Sequence, residues 1–211
     1  EATGLHIRIL SGKEEATYIG QGLSCDPAIA GMTSFIQSDI GGGSLELIRF
    51  EAGEIVNALS LQLGAVRLTE MFIQDREAPL SEEAEAALRQ HVRDALVKSQ
   101  FAFLPETLPL IATGGAYTVS RAVLAAEARS DIEHSSPIME REVLHRLKNK
   151  LAAQPLHERL NTPHLPAARA DILPTALITI DTLLDYSERS YLTHSFYNLR
   201  YGIAANLLHH G

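Results

Sequence analysis

The stretch Phe35 to Glu46, FIQSDIGGGSLE, constrains this chain more than any other. Phe35, Ile36 and Ile40 around Gln37 to Asp39 read as a strand that stops at three glycines, and Leu45 to Phe50 resumes as a second strand. The result is a glycine hairpin with a carboxylate at its base. Gly41, Gly42 and Gly43 have no Cβ, so backbone N–H groups can converge on an anion that bulkier residues would exclude, and Ser44 adds a hydroxyl. Asp39 enters the bend and Glu46 leaves it. Two carboxylates would repel an anion unless a divalent cation lies between, and an oxygen-only ligand set suits Mg²⁺. The competing reading is that the triplet only makes a tight turn. No Lys follows the glycines, so this is not a Walker loop, and a strand follows where a dinucleotide fingerprint needs a helix.

The 211 residues suffice for one large domain, or one domain and part of another. Hydrophobic residues at 45% and charged residues at 21% fit an ordinary soluble globular protein. No apolar run approaches the roughly 20 residues of a membrane span, and no basic leader opens the chain, so the expected location is the cytoplasm. A lone Cys25 excludes an internal disulfide and a thiolate zinc site. Net charge of −8 argues against a general nucleic-acid surface, so a polyanion ligand needs a local positive site.

Ser11 with Glu14 three residues later is capping-box spacing and predicts a helix from Gly12 to about Ile19, after a strand over Leu5 to Leu10. Glu14 and Glu15 then stand in a first turn, where carboxylates ordinarily just complement the helix dipole. Beyond the hairpin, Ile55 to Leu63 predicts a third strand, Arg67 to Phe72 a short helix and Ser81 to Lys98 a longer one. Leu108 to Thr113 suits a buried parallel strand that ends at Gly114 and Gly115 and enters a helix from Ala116 to Ala128. Ser136 and Pro137 are expected to start a helix reaching Ala153, whose charges mark a solvated face, as do Arg121 and Arg129. An apolar helical stripe over 172–184, a strand over Tyr191 to Phe196 and a helix from Leu199 to His209 close the chain. This order predicts an α/β fold with a mixed five-stranded sheet and helices on both faces. Residues 1–32 read as the last strand and helix of a preceding lobe, and 33–211 as a second lobe with a helical insert at about 129–167.

Six short motifs, in order, carry a resemblance: Ser11 to Ala16 (SGKEEA), Asp39 to Glu46 (DIGGGSLE), Leu63 to Leu68 (LGAVRL), Thr113 to Gly115 (TGG), Arg169 to Asp171 (RAD) and Leu199 to Gly202 (LRYG). Together they resemble the exopolyphosphatase and guanosine pentaphosphate phosphohydrolase family, within the actin-like ATPase and sugar kinase superfamily. The resemblance implies a ribonuclease H-like lobe and removal of terminal phosphate from inorganic polyphosphate, or of the 5′-phosphate of guanosine pentaphosphate. It implies Glu15 as the base that activates water, Asp39 and Glu46 as holders of Mg²⁺, and Gly41, Gly42, Gly43, Ser44, Gly114 and Gly115 as a phosphate cradle. Arg200 stands where the family often places an arginine facing the substrate. A homodimer is a further implication.

The family's first lobe carries another glycine-containing phosphate loop. No such loop precedes these motifs here, so the stretch is expected to be an incomplete enzyme that does not turn over efficiently alone. The alternatives are a non-catalytic phosphate-binding sensor of the same fold, or a sugar or acetate kinase lobe that binds nucleotide near Gly114 and Gly115. Arg67 and Arg169 can each reach phosphate or pair with a structural carboxylate such as Asp171. His134, His145, His157 and His164 lack metal-ligand spacing and read as surface residues.

Overall fold

Residues 10–210 are described by the computed structural model, so the strand expected over Leu5 to Leu10 falls almost wholly outside the description. The chain divides into two compact units, one formed by Glu1–Met32 with Tyr197–Gly211 and the other by Thr33–Phe196.

In the first unit, helix α1 (Gly12–Ser24) opens with the expected capping box: Ser11 Oγ accepts from the Glu14 N–H, and the Glu14 carboxylate accepts from the Ser11 N–H at 2.9 Å. This satisfies two of the donors that a helix start leaves open. Helix α8 (Leu199–His210) packs on α1, with glycines at the crossing. A Cβ on Gly202 would lie 1.7 Å from the Tyr18 carbonyl oxygen, and one on Gly22 would lie 2.3 Å from that of Asn198.

The second unit is built on a six-stranded sheet in the order β3-β2-β1-β4-β6-β5. Strands β1 (Phe35–Ile40), β2 (Leu45–Glu51) and β3 (Glu54–Leu61) form the antiparallel meander expected. Strand β4 (Leu110–Thr113) lies parallel to β1, and β6 (Tyr191–His194) parallel to β4. The sixth strand, β5 (Ile138–Glu140), occupies the stretch from which a helix was expected to start. Ser136 does not cap a helix there. Its Oγ accepts from the Ile138 N–H at 3.1 Å, and the chain runs antiparallel to Tyr191–Thr193 before helix α5 (Arg141–Ala152) begins. Three residues are too few for hydrophobic periodicity to reveal an edge strand.

Helix α7 (Leu173–Tyr186) is the hub of the helical layer, packing on α2 (Ala65–Phe72), α3 (Glu82–Ser99), α4 (Gly115–Glu127) and α5. All twelve residues from Leu173 to Leu184 are buried, so α7 is enclosed around nearly its whole circumference, and the hydroxyls of Thr179 and Thr182 are satisfied by the helix's own carbonyls of Thr175 and Ile178. Pro174 sits in its first turn, where no N–H is lost. Ile36, Ile40, Leu45, Leu47, Leu110 and Leu192 bring the sheet's inner face into the same core.

Glu140, Glu142, Arg146, Lys150 and Arg129 are exposed as expected, but two charges read as solvated, Lys148 and Arg121, are buried. Lys148 is 3% exposed and its Nζ donates to Glu85 at 2.5 Å; Arg121 is 6% exposed. Asp181, 1% exposed on the otherwise apolar α7, accepts from Arg89 at 2.5 Å and faces His145 Nδ1 at 3.1 Å. These pairs tie α3 and α5 to the central helix.

Candidate functional site

The ends of β1 and β4 lie side by side, with Asp39 directly paired to Thr113, and the chain leaves each strand through glycine. Ligands of α/β sheets collect at the carboxyl ends of parallel strands. Asp39 is also the direct partner of Glu46 across the antiparallel β1–β2 pair, which puts both carboxylates on one sheet face about 5 Å apart at Cβ.

The bend between β1 and β2 is fixed from below. Gly41 N–H donates to the Ser44 carbonyl at 2.9 Å, and the carbonyls of Gly41 and Gly42 accept from Ala65, Val66 and Arg67 N–H groups at 2.9, 3.0 and 3.1 Å. The first turn of α2 thus finds its acceptors in the glycine bend rather than in a side-chain cap. Gly64 makes the approach possible, since a Cβ there would lie 2.3 Å from the Gly43 carbonyl carbon and the Ser44 nitrogen. Arg67 closes the bend from outside, its Nε donating to the Gly43 carbonyl at 3.1 Å. With the carbonyls turned toward α2, the N–H groups of Gly42, Gly43 and Ser44 donate to no backbone acceptor among the described residues.

Ser44 is placed differently from expectation. Its hydroxyl donates to Glu46 Oε1, as does Ser60 Oγ at 3.0 Å, so the side chain orients a carboxylate instead of standing open toward a ligand.

At the second strand end, Gly114 takes a φ of +94° and forms the N-cap of α4, with no side-chain cap. A Cβ on Gly114 would lie 2.0 Å from Asp39 Oδ1, so Asp39 occupies the space that the glycine leaves. Thr113 Oγ1 donates to Asp39 Oδ2 at 3.0 Å. A thirteen-residue helix with open first-turn N–H groups presents the positive end of its dipole beside these residues.

One cation completes the group. A Cβ on Gly115 would lie 2.6 Å from Arg169 Nη2, so the guanidinium lies flat against the glycine. The carboxylate weighed as its partner, Asp171, pairs instead with Arg76 at 3.2 Å. A cavity of about 310 Å³ is lined by Asp39, Gly41, Gly42, Gly115, Ala116 and Arg169, with Val66, Ile172 and Leu173 among its apolar walls. Arg169 was legible in the RAD motif as a candidate, but its commitment to the cavity depends on Arg76, about 95 positions from Asp171 and invisible as its partner in the sequence.

Beneath the site, two groups of polar contacts hold β1, β6 and α4 in place. Ser38 Oγ and Tyr117 Oη lie 2.7 Å apart and wholly buried; burial pushes the Tyr117 phenol up, with Asp39's charge adding to the effect. Thr118 Oγ1 lies 2.9 Å from the Gly114 carbonyl and 3.0 Å from His194 Nε2, while His194 Nδ1 lies 3.2 Å from Arg121 Nη1. Thr118 has one hydrogen to give, so a neutral His194 protonated at Nε2 satisfies the whole chain of contacts. Burial first, then the Arg121 charge, push the imidazole down to about 4.

The site residues read from the sequence therefore fall into two sets. Asp39, Gly41 to Ser44, Glu46, Gly114 and Gly115 come together within the Thr33–Phe196 unit. Glu15 and Arg200 belong to the other unit, both exposed, the first in the opening turn of α1 and the second in that of α8. Among the described residues no three His, Cys, Asp or Glu side chains group as a metal cage. Asp39 and Glu46 are oxygen donors of the type Mg²⁺ takes one or two of while keeping several of its waters.

A model of the Ppx/GppA phosphatase family matches residues 1–210. Two curated relatives carry the name guanosine-5′-triphosphate,3′-diphosphate pyrophosphatase. The one from Vibrio vulnificus is 27% identical over 206 residues and that from Vibrio parahaemolyticus 28% over 207; each alignment covers 97% of this chain and 39% of the relative. The chain thus spans well under half the length of these proteins. An exopolyphosphatase from Cytophaga hutchinsonii superposes with a TM-score of 0.82 at 24% identity, over 97% of this chain and 66% of that one. The Aquifex aeolicus PPX-GPPA enzyme does so with a TM-score of 0.82 at 19% identity, over 96% and 66%. These superpositions establish a shared fold.

Proposed function

Since this chain belongs to the Ppx/GppA phosphatase family, we propose that it supplies the phosphate-holding lobe of a Mg²⁺-dependent phosphohydrolase. The substrates we assign are inorganic polyphosphate, from which it would release terminal phosphate, or guanosine pentaphosphate, from which it would release the 5′-phosphate. The observation that carries this reading is the convergence of the glycine bend, the open N-terminus of α4, Asp39 and Arg169 on one cavity.

Phosphoryl transfer asks little covalent chemistry of a protein and much positioning and charge neutralisation. The N–H groups of Gly42, Gly43 and Ser44 and those opening α4 would orient phosphate oxygens by hydrogen bonds that need no reorganisation during reaction. Arg169, flat against Gly115, would add a fork of donors matched to two phosphate oxygens. Asp39 and Glu46 would hold Mg²⁺, which when bound supplies charge neutralisation at the phosphate oxygens. Glu15 we assign as the base that takes a proton from the attacking water, and Arg200 as a further contact to the polyanion. We assign the protein to the cytoplasm and to a homodimer, following the family resemblance.

The test is phosphate release from long-chain polyphosphate and from guanosine pentaphosphate by the protein that carries this chain. Glu15→Gln and Asp39→Asn should each lower kcat by at least about 100-fold, the scale of removing a general base or a charge-neutralising group. Undiminished rates in both variants would overturn the reading.

A further inference from the structure

Arg67 is an odd residue for the place it occupies. It is the third residue of α2, where a positive charge opposes the helix dipole. Glu70 stands one turn further on, within reach of an i, i+3 ion pair, yet the two do not pair. Of the two partners open to Arg67 from the sequence, phosphate or a structural carboxylate, the second is absent among the described residues. Elsewhere Arg49, Arg76, Arg89, Arg93 and Arg141 each pair with a carboxylate, as a net charge of −8 makes easy. Arg67 and Arg169, both set against the glycines of the site, make no such pair among the described residues.

What Arg67 holds is the bend itself. Its Nε donates to the Gly43 carbonyl at 3.1 Å, which restrains the guanidinium and leaves Nη1 and Nη2 with no acceptor among the described residues. Those two nitrogens form the end of the fork that matches two oxygens of one phosphate. Arg67 does not line the 310 Å³ cavity, although Val66 before it and Gly42 do. Gly43 is one residue, about 3.8 Å of chain, beyond Gly42. The anchored fork therefore stands one chain step outside the cavity wall.

We propose that Arg67 is an outer phosphate subsite, which takes the second phosphate of a condensed phosphate whose first lies in the cavity with Arg169. The chemistry it recognises is a run of two or more joined phosphoryl groups, present in an inorganic chain and in a nucleoside triphosphate alike. This rests on the assignment of the cavity as a phosphate holder above. A lone orthophosphate occupies the cavity and leaves the Arg67 fork without an acceptor, so the residue sorts ligands by the number of phosphates they carry.

The experiment is calorimetric titration of the chain with orthophosphate, tripolyphosphate and guanosine triphosphate at one fixed Mg²⁺ concentration, with circular dichroism as a control for folding. Arg67→Ala should weaken binding of the condensed phosphates about 5- to 10-fold, the scale of a charge-assisted contact at an exposed position, and leave orthophosphate unchanged. Arg67→Gln, which keeps a donor for the Gly43 carbonyl but no charge, should do the same. Arg169→Ala should weaken all three ligands. A loss with tripolyphosphate only assigns the subsite to the inorganic chain, a loss with guanosine triphosphate only assigns it to a nucleotide, and a loss with both shows that it reads the shared phosphates. Unchanged affinity for both condensed phosphates in either variant, or a loss shared equally by orthophosphate, overturns the outer subsite and leaves the cavity reading standing. Wild-type protein that binds none of the three overturns both. Should Arg67→Ala fail to fold, Arg67→Gln decides alone.

Discussion

Gly114 carries two burdens at one backbone position, a φ of +94° and a neighbour's carboxylate 2.0 Å from where a side chain would begin. Gly114→Ala should therefore cost about 1–3 kcal/mol in urea unfolding from backbone conformation alone, and should also displace Asp39 and weaken Mg²⁺ uptake. His194 gives a pH-dependent counterpart. The unfolded chain protonates this imidazole near 6.5, whereas burial and Arg121 delay protonation of the folded chain to about 4. Stability should fall as pH drops across that window, by on the order of 3 kcal/mol in full. Urea midpoints between pH 7 and pH 4 check it, and His194→Gln should flatten the slope. Nothing in the sequence marked His194 as buried, because a histidine at a strand end reads the same whether it faces water or a helix. Asp39, Glu46 and the glycines were legible because chemistry there depends on residue type and local spacing. Arg121 was not, and Arg169 was legible only as one of two alternatives, since their roles depend on partners far along the chain.

At the scale of elements, the helical layer is held by charges as well as by hydrocarbon. Burial would push the Asp181 carboxyl up, but hydrogen bonds from Arg89 and His145 and their charges outweigh it, so the group stays below its usual range. Burial likewise opposes Glu85 ionisation, and Lys148 and Arg89 reverse the balance. Both carboxylates thus stabilise the fold above the ordinary carboxylate pKa near 4, and that contribution is lost as pH falls below it. Asp181→Leu should cost about 2–3 kcal/mol at pH 7, the scale of buried hydrogen bonds to charged groups, and much less at pH 3, as thermal or urea unfolding at the two values will read. The meander, β4 and the apolar α7 were readable from periodicity and length. The edge strand β5 was not, being three residues long and held by pairing with Tyr191–Thr193. Within the solvent-facing charges of α5, Lys148 was not readable as buried, because composition cannot tell a lysine in water from one against Glu85.

For the molecule as a whole, a net charge of −8 works against any polyanion, and the site proposed above would have to overcome that field locally. On the proposed function, Mg²⁺ and tripolyphosphate together should raise the unfolding temperature more than either alone, since each would be a ligand of the native state that lessens the repulsion felt by the other. Asp39→Asn should remove the joint effect, and a thermal-shift series in the four combinations checks it. No helix among the described residues is long and apolar enough to cross a membrane.

The bond pattern under the glycine bend has a last consequence. Because α2 already grips the carbonyls of Gly41 and Gly42 through the contact that Gly64 permits, an anion bound there as proposed would meet a receptor already shaped and would spend little entropy in shaping it. A single methyl at residue 64 would prise that grip loose, turning a rigid socket into a floppy one that must be reset at each visit.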